Sequence, residues 1–343
     1  MHILGVANSY ASAPVNAPTS LSGVPSTTSV AISFTAPTND GGAAITNYEY
    51  SFNNSTWTAF SPADAASPVT VSGLTANTSY SIYLRAVNIV GSGPGSTGLS
   101  VTTLPVFMVA TGGTQTTYSS GGFTYRSHTF TGSGTFTVST VGSFGTVDAV
   151  VVAGGGGGGQ DRGGGGGAGG MQTTSPTLSA TGYSVSVGGG GGTNGGNGGN
   201  SSFNGVTSSG GGYAGFCCYA NPNSGGSGGG CSANGGCTGG SGIGGQGNNG
   251  GNTDGQGWMG SGGGGKGAAG VAASGSGPAA GGNNAYRTGS NEMYSYGGQG
   301  KGGAPFDGTD HYTVGAYGSG GAGNNAGGQN GYQGVVIIRY RIA

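Results

Sequence analysis

Charged side chains and long apolar runs are both scarce in this sequence. Asp, Glu, Lys and Arg make up 5% of the 343 residues, against about 25% in typical soluble domains. Eight basic and nine acidic residues leave a formal net charge of −1. Because nucleic acids and anionic membranes bind clustered cations, we expect the protein to bind neither. No run of about 18 apolar residues occurs, so we expect no membrane insertion. The first residues also lack the cationic and apolar segments of a standard secretory signal.

The residues that catalysis and metal binding require are equally few. Histidine occurs three times, and His128 lies in a strand pattern that indicates a structural role. Asp307–His311 contains possible metal ligands, but a solvated polar loop explains so few ligands better. Gly260–Lys266 follows most of the phosphate-binding loop pattern, yet Gly267 stands where Ser or Thr is required. The sequence therefore predicts no catalytic residues, no cofactor and no metal.

Glycine divides the sequence into two unlike parts. It is sparse up to Leu104 and supplies roughly one residue in three beyond Thr111, against about 7% on average. Collagen is excluded because Gly154–Gly159 is continuous, whereas collagen places glycine at every third position. Disorder is the default for Gly/Ser-rich sequence. The ordered alternative is a left-handed extended helix with three residues per turn. We expect this ordered state, with the helices packed side by side and clamped at one end by strands.

Residues 18–104 show the short alternating runs of an all-β sandwich. Turn signals at Asn39–Gly42 and Gly91–Pro94 separate the strands. Tyr80 is predicted to be a corner tyrosine that leads into a central strand. The predicted strands are Ser29–Thr35, Ile45–Phe52, Thr56–Phe60, Val69–Ser72, Ser79–Asn88 and Leu99–Thr103.

A second β-rich piece covers residues 105–153. Phe123–Phe130 and Thr135–Val138, separated by Gly132–Gly134, predict a hairpin. The other predicted strands are Val147–Ala153, Tyr183–Val187 and Gly334–Ile342. Since Val147–Ala153 is a continuous apolar run, we expect it to be buried. These strands are expected to form a small sheet or sandwich from which the glycine helices extend.

The first part of the chain resembles a fibronectin type III domain over residues 18–104. The residues that carry the resemblance are Pro18–Leu21, Gly73–Leu74 with Thr78 and Tyr80, and Arg85–Asn88. Phe34 stands where this family usually has a tryptophan, which a bulky apolar residue can replace. The resemblance implies a β-sandwich that serves as a spacer or a binding module, because fold alone does not determine function.

The second part, roughly residues 120–343, resembles the glycine-rich domain of bacteriophage tail and fibre proteins. The segments that carry this resemblance are Val150–Gly159, Gly163–Gly170, Ser184–Gly189, Asn200–Phe203 and Gly334–Tyr340. It is also similar to the distal adhesins of T-even phages. That similarity implies a stack of polyglycine II helices that displays variable loops to a receptor. Those adhesins have a fibre-attachment domain where this chain has a fibronectin-like domain.

Four cysteines lie close together in the glycine tract, at Cys217, Cys218, Cys231 and Cys237. Their spacing does not follow the C-x-x-C pattern of zinc sites. We expect two disulfides, chiefly between the 217/218 pair and the 231/237 pair, because core-poor proteins outside cells use such bridges. Free thiols and a metal site are the alternatives.

Large side chains interrupt the glycine runs at a few places. A glycine lattice has no interior room for them, so they must lie in turns or on outer faces. They either cap the lattice and pack on the β-module, by which we mean the strands that clamp the glycine helices, or form an aromatic recognition surface. Recognition loops favour aromatics with Ser, Gly and Asn. The candidate receptor-binding residues are Phe216, Tyr219, Trp258, Met259, Tyr286, Tyr294, Tyr296, Phe306 and Tyr312.

Together these patterns predict an all-β protein with polyglycine II helices. An extended segment (1–17) and the fibronectin-like sandwich (18–104) precede a β-rich base (105–153), a glycine-rich domain (154–334) and a closing strand (335–343). We expect a non-enzymatic, extracellular virion protein of a phage, a tail-fibre or adhesin-like component. Its expected partners are other virion or fibre subunits and a host surface glycan or outer-surface protein. The alternatives are an architectural virion or filament subunit without a receptor site and a secreted bacterial surface or matrix protein.

Overall fold

The chain divides into two compact units, Met1–Val106 and Phe107–Ala343. The computed structural model describes residues 11–193, 195–216, 221–233, 236–254, 260–273, 317–323 and 327–343, with two short strands at 285–286 and 293–294. Within these ranges the regular elements are β-strands, and no helix there could cross a membrane. The predicted all-β class is confirmed.

The first unit is a β-sandwich of a three-stranded and a four-stranded sheet. Its strands are β1 (Thr19–Pro25), β2 (Ser29–Thr35), β3 (Ile45–Ser51), β4 (Thr58–Ala59), β5 (Val69–Ser72), β6 (Ser79–Asn88) and β7 (Leu99–Thr102). The sheet orders are β1-β2-β5 and β4-β3-β6-β7. Alternate residues of β2, β5 and β6, such as Ile32, Val71 and Leu84, are fully buried between the sheets. This alternation is what half-buried antiparallel strands require.

Two predicted details of this unit are confirmed. The Tyr80 hydroxyl accepts a hydrogen bond of 2.9 Å from the Thr75 backbone N–H, as a corner tyrosine does. Phe34 packs against the core, with its ring 4.5 Å from the ring of buried Tyr48. A phenylalanine therefore fills the place that the family gives to tryptophan.

The second unit contains a sandwich of two five-stranded sheets. Its strands are β8 (Val109–Thr111), β9 (Thr114–Ser120), β10 (Phe123–Phe130), β11 (Gly134–Thr140), β12 (Asp148–Val152), β13 (Met171–Thr174), β14 (Gly182–Ser186), β15 (Ser201–Phe203), β16 (Val206–Ser208), β17 (Ala285–Tyr286), β18 (Met293–Tyr294) and β19 (Val335–Arg341). The sheet orders are β13-β12-β19-β10-β9 and β16-β15-β14-β11-β8, and β17 pairs with β18. Phe136, Val151, Phe203 and Ile338 lie in the core between the two large sheets.

The predicted hairpin between Phe123–Phe130 and Thr135–Val138 is wrong. β10 pairs with β9 and β19, whereas β11 pairs with β8 and β14. The Gly132–Gly134 connection crosses from one sheet to the other, so that Phe130 and Phe136 both enter the same core. The hairpin partner of β10 is β9, through a turn at Gly121 and Gly122. Both glycines have positive φ, which two-residue hairpin turns require.

The glycine runs leave the sandwich as extended segments whose hydrogen bonds repeat every three residues. Gly154 and Gly157 donate to the carbonyls of Gly199 and Gly196, at 3.0 and 2.9 Å. The next residue of each triplet, at 155 and 158, donates to segment 329–332, and the third, at 156 and 159, donates to segment 164–167. A strand alternates its N–H groups with period two and an α-helix bonds internally. This period of three is neither.

Three more segments complete a ring around Gly154–Gly159. The N–H groups of Gly191, Gly211 and Gly321 donate to the carbonyls of residues 155, 154 and 156 respectively. A Cβ added at Gly157 would lie 2.0 Å from the Gly192 carbonyl oxygen. Real Cβ atoms do not approach oxygen so closely, so the interior of this lattice accepts only glycine at such positions. Six neighbouring segments thus surround Gly154–Gly159 at backbone contact.

Asparagine side chains accept N–H groups of the lattice in place of a neighbouring carbonyl. The Oδ1 atoms of Asn200, Asn197 and Asn249 accept the N–H groups of Gly210, Tyr213 and Gly242 at 2.8–3.0 Å. Asn330 and Asn252 do the same for Thr193 and Gly239. An amide oxygen replaces a peptide carbonyl at little cost, since the two groups are chemically alike. These five asparagines of the tract therefore have a structural role in the lattice.

Candidate recognition surfaces

The predicted receptor-binding residues are only partly within the described ranges. Phe216 is half-buried and follows Gly215, whose N–H donates to the Gly230 carbonyl of the lattice. Tyr286 and Tyr294 lie in β17 and β18, where each is paired with a residue of the other strand. The residues Tyr219, Trp258, Met259, Tyr296, Phe306 and Tyr312 lie outside the described residues, as does the Asp307–His311 loop. The recognition surface that they were predicted to form remains a prediction.

One aromatic of the tract packs on the β-module. Tyr317 contacts a second buried cluster on the outer face of the β12–β19 pair. That cluster contains Val150, Val152, Met171, Val335 and Ile337. The alternative that the large side chains pack on the β-module is therefore the one that holds for Tyr317.

The disulfide in the described part of the chain joins Cys231 to Cys237, with 6.0 Å between the Cα atoms. The predicted disulfides from Cys217 and Cys218 to Cys231 and Cys237 are therefore wrong, because Cys231 and Cys237 are bonded to each other. Cys237 returns toward Cys231 because its backbone pairs with Thr253, while Ser232 receives a hydrogen bond from the Thr253 hydroxyl. Cys217 and Cys218 lie outside the described residues. In the parts of the chain that the structure describes, no three His, Cys, Asp or Glu side chains cluster as metal ligands would.

A surface that the sequence reasoning missed lies on the outer face of β10 and β19. The guanidinium of Arg341 lies 3.8 Å from the centre of the Phe123 ring, 5.0 Å from that of Phe144 and 5.8 Å from that of Phe107. Phe123 and Phe144 each remain 40% exposed. Such cation–π contacts hold exposed rings in place.

Arg339 organises the neighbouring part of this surface. It forms an ion pair of 3.1 Å with Asp148, donates to the Tyr118 hydroxyl at 3.2 Å and lies 5.6 Å from the Tyr125 ring. The Tyr118 and Tyr125 rings stack at 5.7 Å. We call the whole set the aromatic–arginine surface: Phe107, Tyr118, Phe123, Tyr125, Phe144, Arg339 and Arg341. The sequence signal for it is the alternation of aromatics in β10 and of arginines in β19, which become neighbours only through their antiparallel register.

His128 is fully buried in the core at the inner side of β10. Its Nδ1 lies 2.6 Å from the Gly112 carbonyl oxygen, so Nδ1 carries the proton and donates it. Nε2 then accepts from the Tyr340 hydroxyl at 3.1 Å, and the Tyr340 oxygen accepts the Ala110 N–H at 3.2 Å. In this neutral tautomer both ring nitrogens of His128 and the hydroxyl of Tyr340 have hydrogen-bond partners. Burial lowers the pKa of His128, the Gly112 hydrogen bond partly opposes this, and the charge of Arg126 lowers it further.

This lowered pKa predicts that acid destabilises the second unit. In the unfolded chain His128 titrates near pH 6.5, so below that pH the unfolded state binds a proton that the folded state refuses. The stabilisation is complete above about pH 6.5 and is lost as the pH falls toward the lowered folded pKa. Urea unfolding of the second unit should therefore give a smaller unfolding free energy at pH 5 than at pH 7.5. His128→Gln should flatten this dependence, while His311→Gln should retain it. An equal slope in His128→Gln would contradict the assignment.

Comparison with known proteins gives two family matches. The model of the fibronectin type III domain matches residues 16–102. The model described as a glycine-rich domain matches residues 129–341, which is more than half of the chain. No curated protein matches the chain.

Proposed function

Because the chain belongs to the glycine-rich domain family and has a fibronectin type III domain before it, we propose that it is a non-enzymatic phage virion protein. It acts as a tail-fibre or adhesin-like component that presents loops for attachment to a host surface. Its partners are other fibre subunits and a host glycan or outer-surface protein. The fibronectin type III domain serves as a spacer or docking unit.

The observation that carries this proposal is the three-residue hydrogen-bond repeat around Gly154–Gly159. We assign the glycine segments to polyglycine II helices, which present their N–H groups in three directions because they have three residues per turn. A helix with six neighbours at backbone contact cannot shift without breaking bonds on every side. The lattice is therefore a stiff support for the turns between its segments, and stiff supports reduce the entropy lost when a partner binds.

Aromatic side chains in those turns supply the contacts. Aromatic rings stack on sugar rings and bury large areas with few rotatable bonds. Phe216 lies at the end of one glycine segment, and the same role is proposed for Trp258. Because Phe216 follows Gly215, whose N–H bonds to the Gly230 carbonyl, variation after Gly215 leaves the lattice hydrogen bonds up to that residue in place.

The test is binding of the purified chain to a panel of bacterial cells and their surface polysaccharides. The chain should bind at least one host, and Phe216→Ser combined with Trp258→Ser should lower the affinity at least about tenfold, as expected for removal of central aromatic anchors. Phe52→Ser is the matched control, because Phe52 is an aromatic of the first unit with 45% exposure. Absence of binding across the panel, or unchanged binding by the double variant, would count against the attachment role.

An architectural subunit is the second candidate, and strand β9 favours it. β9 (Thr114–Ser120) is the outer strand of its sheet, and its residues are mostly exposed. It contains no charged residue and no proline, the two features with which proteins usually protect such edges from pairing. If this candidate is right, light scattering will show assemblies that Thr117→Pro dissolves, and the chain will bind no cell surface.

A further inference from the structure

A small cavity opens between strand β13 and two turns of the glycine lattice. It has a volume of about 220 Å³ and is lined by Met171, Gln172, Thr173, Gly245 and Lys266. Sites that enclose whole drug-sized ligands have roughly 300–1,000 Å³. This cavity therefore has room for one sugar ring or a group of similar size.

Hydrogen bonds hold each wall of the cavity in place. The Met171 N–H donates to the Gln246 carbonyl at 3.1 Å, which joins β13 to the turn that contains Gly245. The Asn248 side-chain amide donates to the carbonyls of Gly265 and Lys266 at 2.8 and 3.0 Å, which fixes the second turn. The cavity is thus formed before any ligand arrives.

The chemistry of the lining is cationic and polar. The Lys266 ammonium donates to the Gly245 carbonyl oxygen, which uses one of its three N–H groups. The ion pairs in the described part of the chain are Arg85–Glu49 and Arg339–Asp148, so no described carboxylate neutralises Lys266. Partial burial lowers the pKa of Lys266.

The other lining groups match the remaining parts of a sugar. The Thr173 hydroxyl both donates and accepts hydrogen bonds, as ring hydroxyls require. The Gln172 amide already donates one N–H to the Thr207 carbonyl, which leaves its oxygen and its second N–H for a ligand. Met171, which is 5% exposed and packs with Val150 and Val152, supplies the apolar part of the lining. We propose that this cavity binds a single carboxylate-bearing monosaccharide, of the hexuronic acid type, with its carboxylate on Lys266. The site is separate from the turn aromatics, and the proposal stands independently of the proposed function.

The chain has two lysines, Lys266 and Lys301, which makes the test direct. Biosynthetic ¹³C-labelling of the lysine Cε atoms in the full chain reports on both lysines without altering their ammonium groups, and Lys301→Gln identifies the Lys266 signal. Titration with glucuronic acid should shift the Lys266 signal in a saturable way and raise the pKa of that amine, because the carboxylate favours the charged form. Glucose, which lacks the carboxylate, should bind at least about tenfold more weakly, as loss of a charge-assisted contact implies.

Two variants and one further ligand decide the outcome. Lys266→Gln should abolish binding, as measured by calorimetry, and Thr173→Val should weaken it several-fold while leaving the thermal unfolding unchanged. Lys301→Gln is the matched control and should bind as the parent chain does. Absence of a saturable shift would overturn the proposal. Equal binding of acetate and glucuronic acid would also overturn it, since the site would then recognise a bare anion.

Discussion

Replacing Gly157 by alanine is expected to destabilise the glycine lattice strongly. The added Cβ would lie 2.0 Å from the Gly192 carbonyl oxygen and 2.6 Å from its carbon. The Gly192 carbonyl already accepts the Gly196 N–H, and the adjacent Gly191 bonds to Gly155 and Gly331, so a shift of this backbone would break hydrogen bonds of the lattice. Overpacking of a core usually costs about 1–3 kcal/mol, and losses above about 4 kcal/mol require a defect of this kind. We expect a loss of at least about 3 kcal/mol in the unfolding free energy of the second unit.

The matched control for this variant is Gly192→Ala. Gly192 belongs to the segment that Gly157 would strike, yet a Cβ on Gly192 itself would meet no atom within 4 Å. This substitution should change the unfolding free energy by less than about 1 kcal/mol. Denaturant unfolding of both variants provides the comparison. Equal stabilities would mean that the close packing of the segments does not determine the stability of the lattice.

Most strands of the first unit could be predicted from sequence because they alternate cleanly, although β1 (Thr19–Pro25) was not predicted. β2, β5 and β6 have the predicted bounds, since each buries every second residue. The second unit was harder, because a glycine turn signals a change of direction but not the sheet in which the next strand lies. Gly132–Gly134 therefore predicts a hairpin turn, whereas burial of both Phe130 and Phe136 requires a crossing between sheets.

The lattice and the candidate surfaces show where local pattern stops being informative. The composition predicts packed glycine segments. Identical glycines cannot indicate which segments become neighbours, however, so the contact of Gly154–Gly159 with segment 329–332 has no sequence signal. The aromatic–arginine surface depends on pairing of Tyr125 with Arg341, which lie in strands far apart in the chain. The Lys266 cavity likewise combines β13 with two distant turns. Each of these sites is a product of long-range register rather than of motif.

The same long-range register predicts that the last strand controls the folding of the whole second unit. β19 lies between β12 and β10, and its residues pair with both. Val336 and Ile338 enter the core between the sheets, while Val335 and Ile337 enter the cluster on the outer face. Each fully buried aliphatic side chain contributes roughly 1.5–3 kcal/mol, so together they approach the roughly 5–15 kcal/mol that stabilises an entire domain. Without β19 the strands β13-β12 and β10-β9 would also have no common neighbour.

A chain that ends after Gln333 should therefore lose the second unit while keeping the first, whose core is a separate cluster. Calorimetry of the full chain should show two transitions, and calorimetry of the truncated chain should show only that of the β-sandwich of the first unit. Deletion of Met1–Tyr10 removes the same number of residues from the other end and should leave the transition of the second unit in place. A second transition that survives truncation would mean that the glycine lattice is stable without its clamping strand. In that case the lattice would fold without the sandwich of the second unit, and the sandwich would not be needed to anchor it.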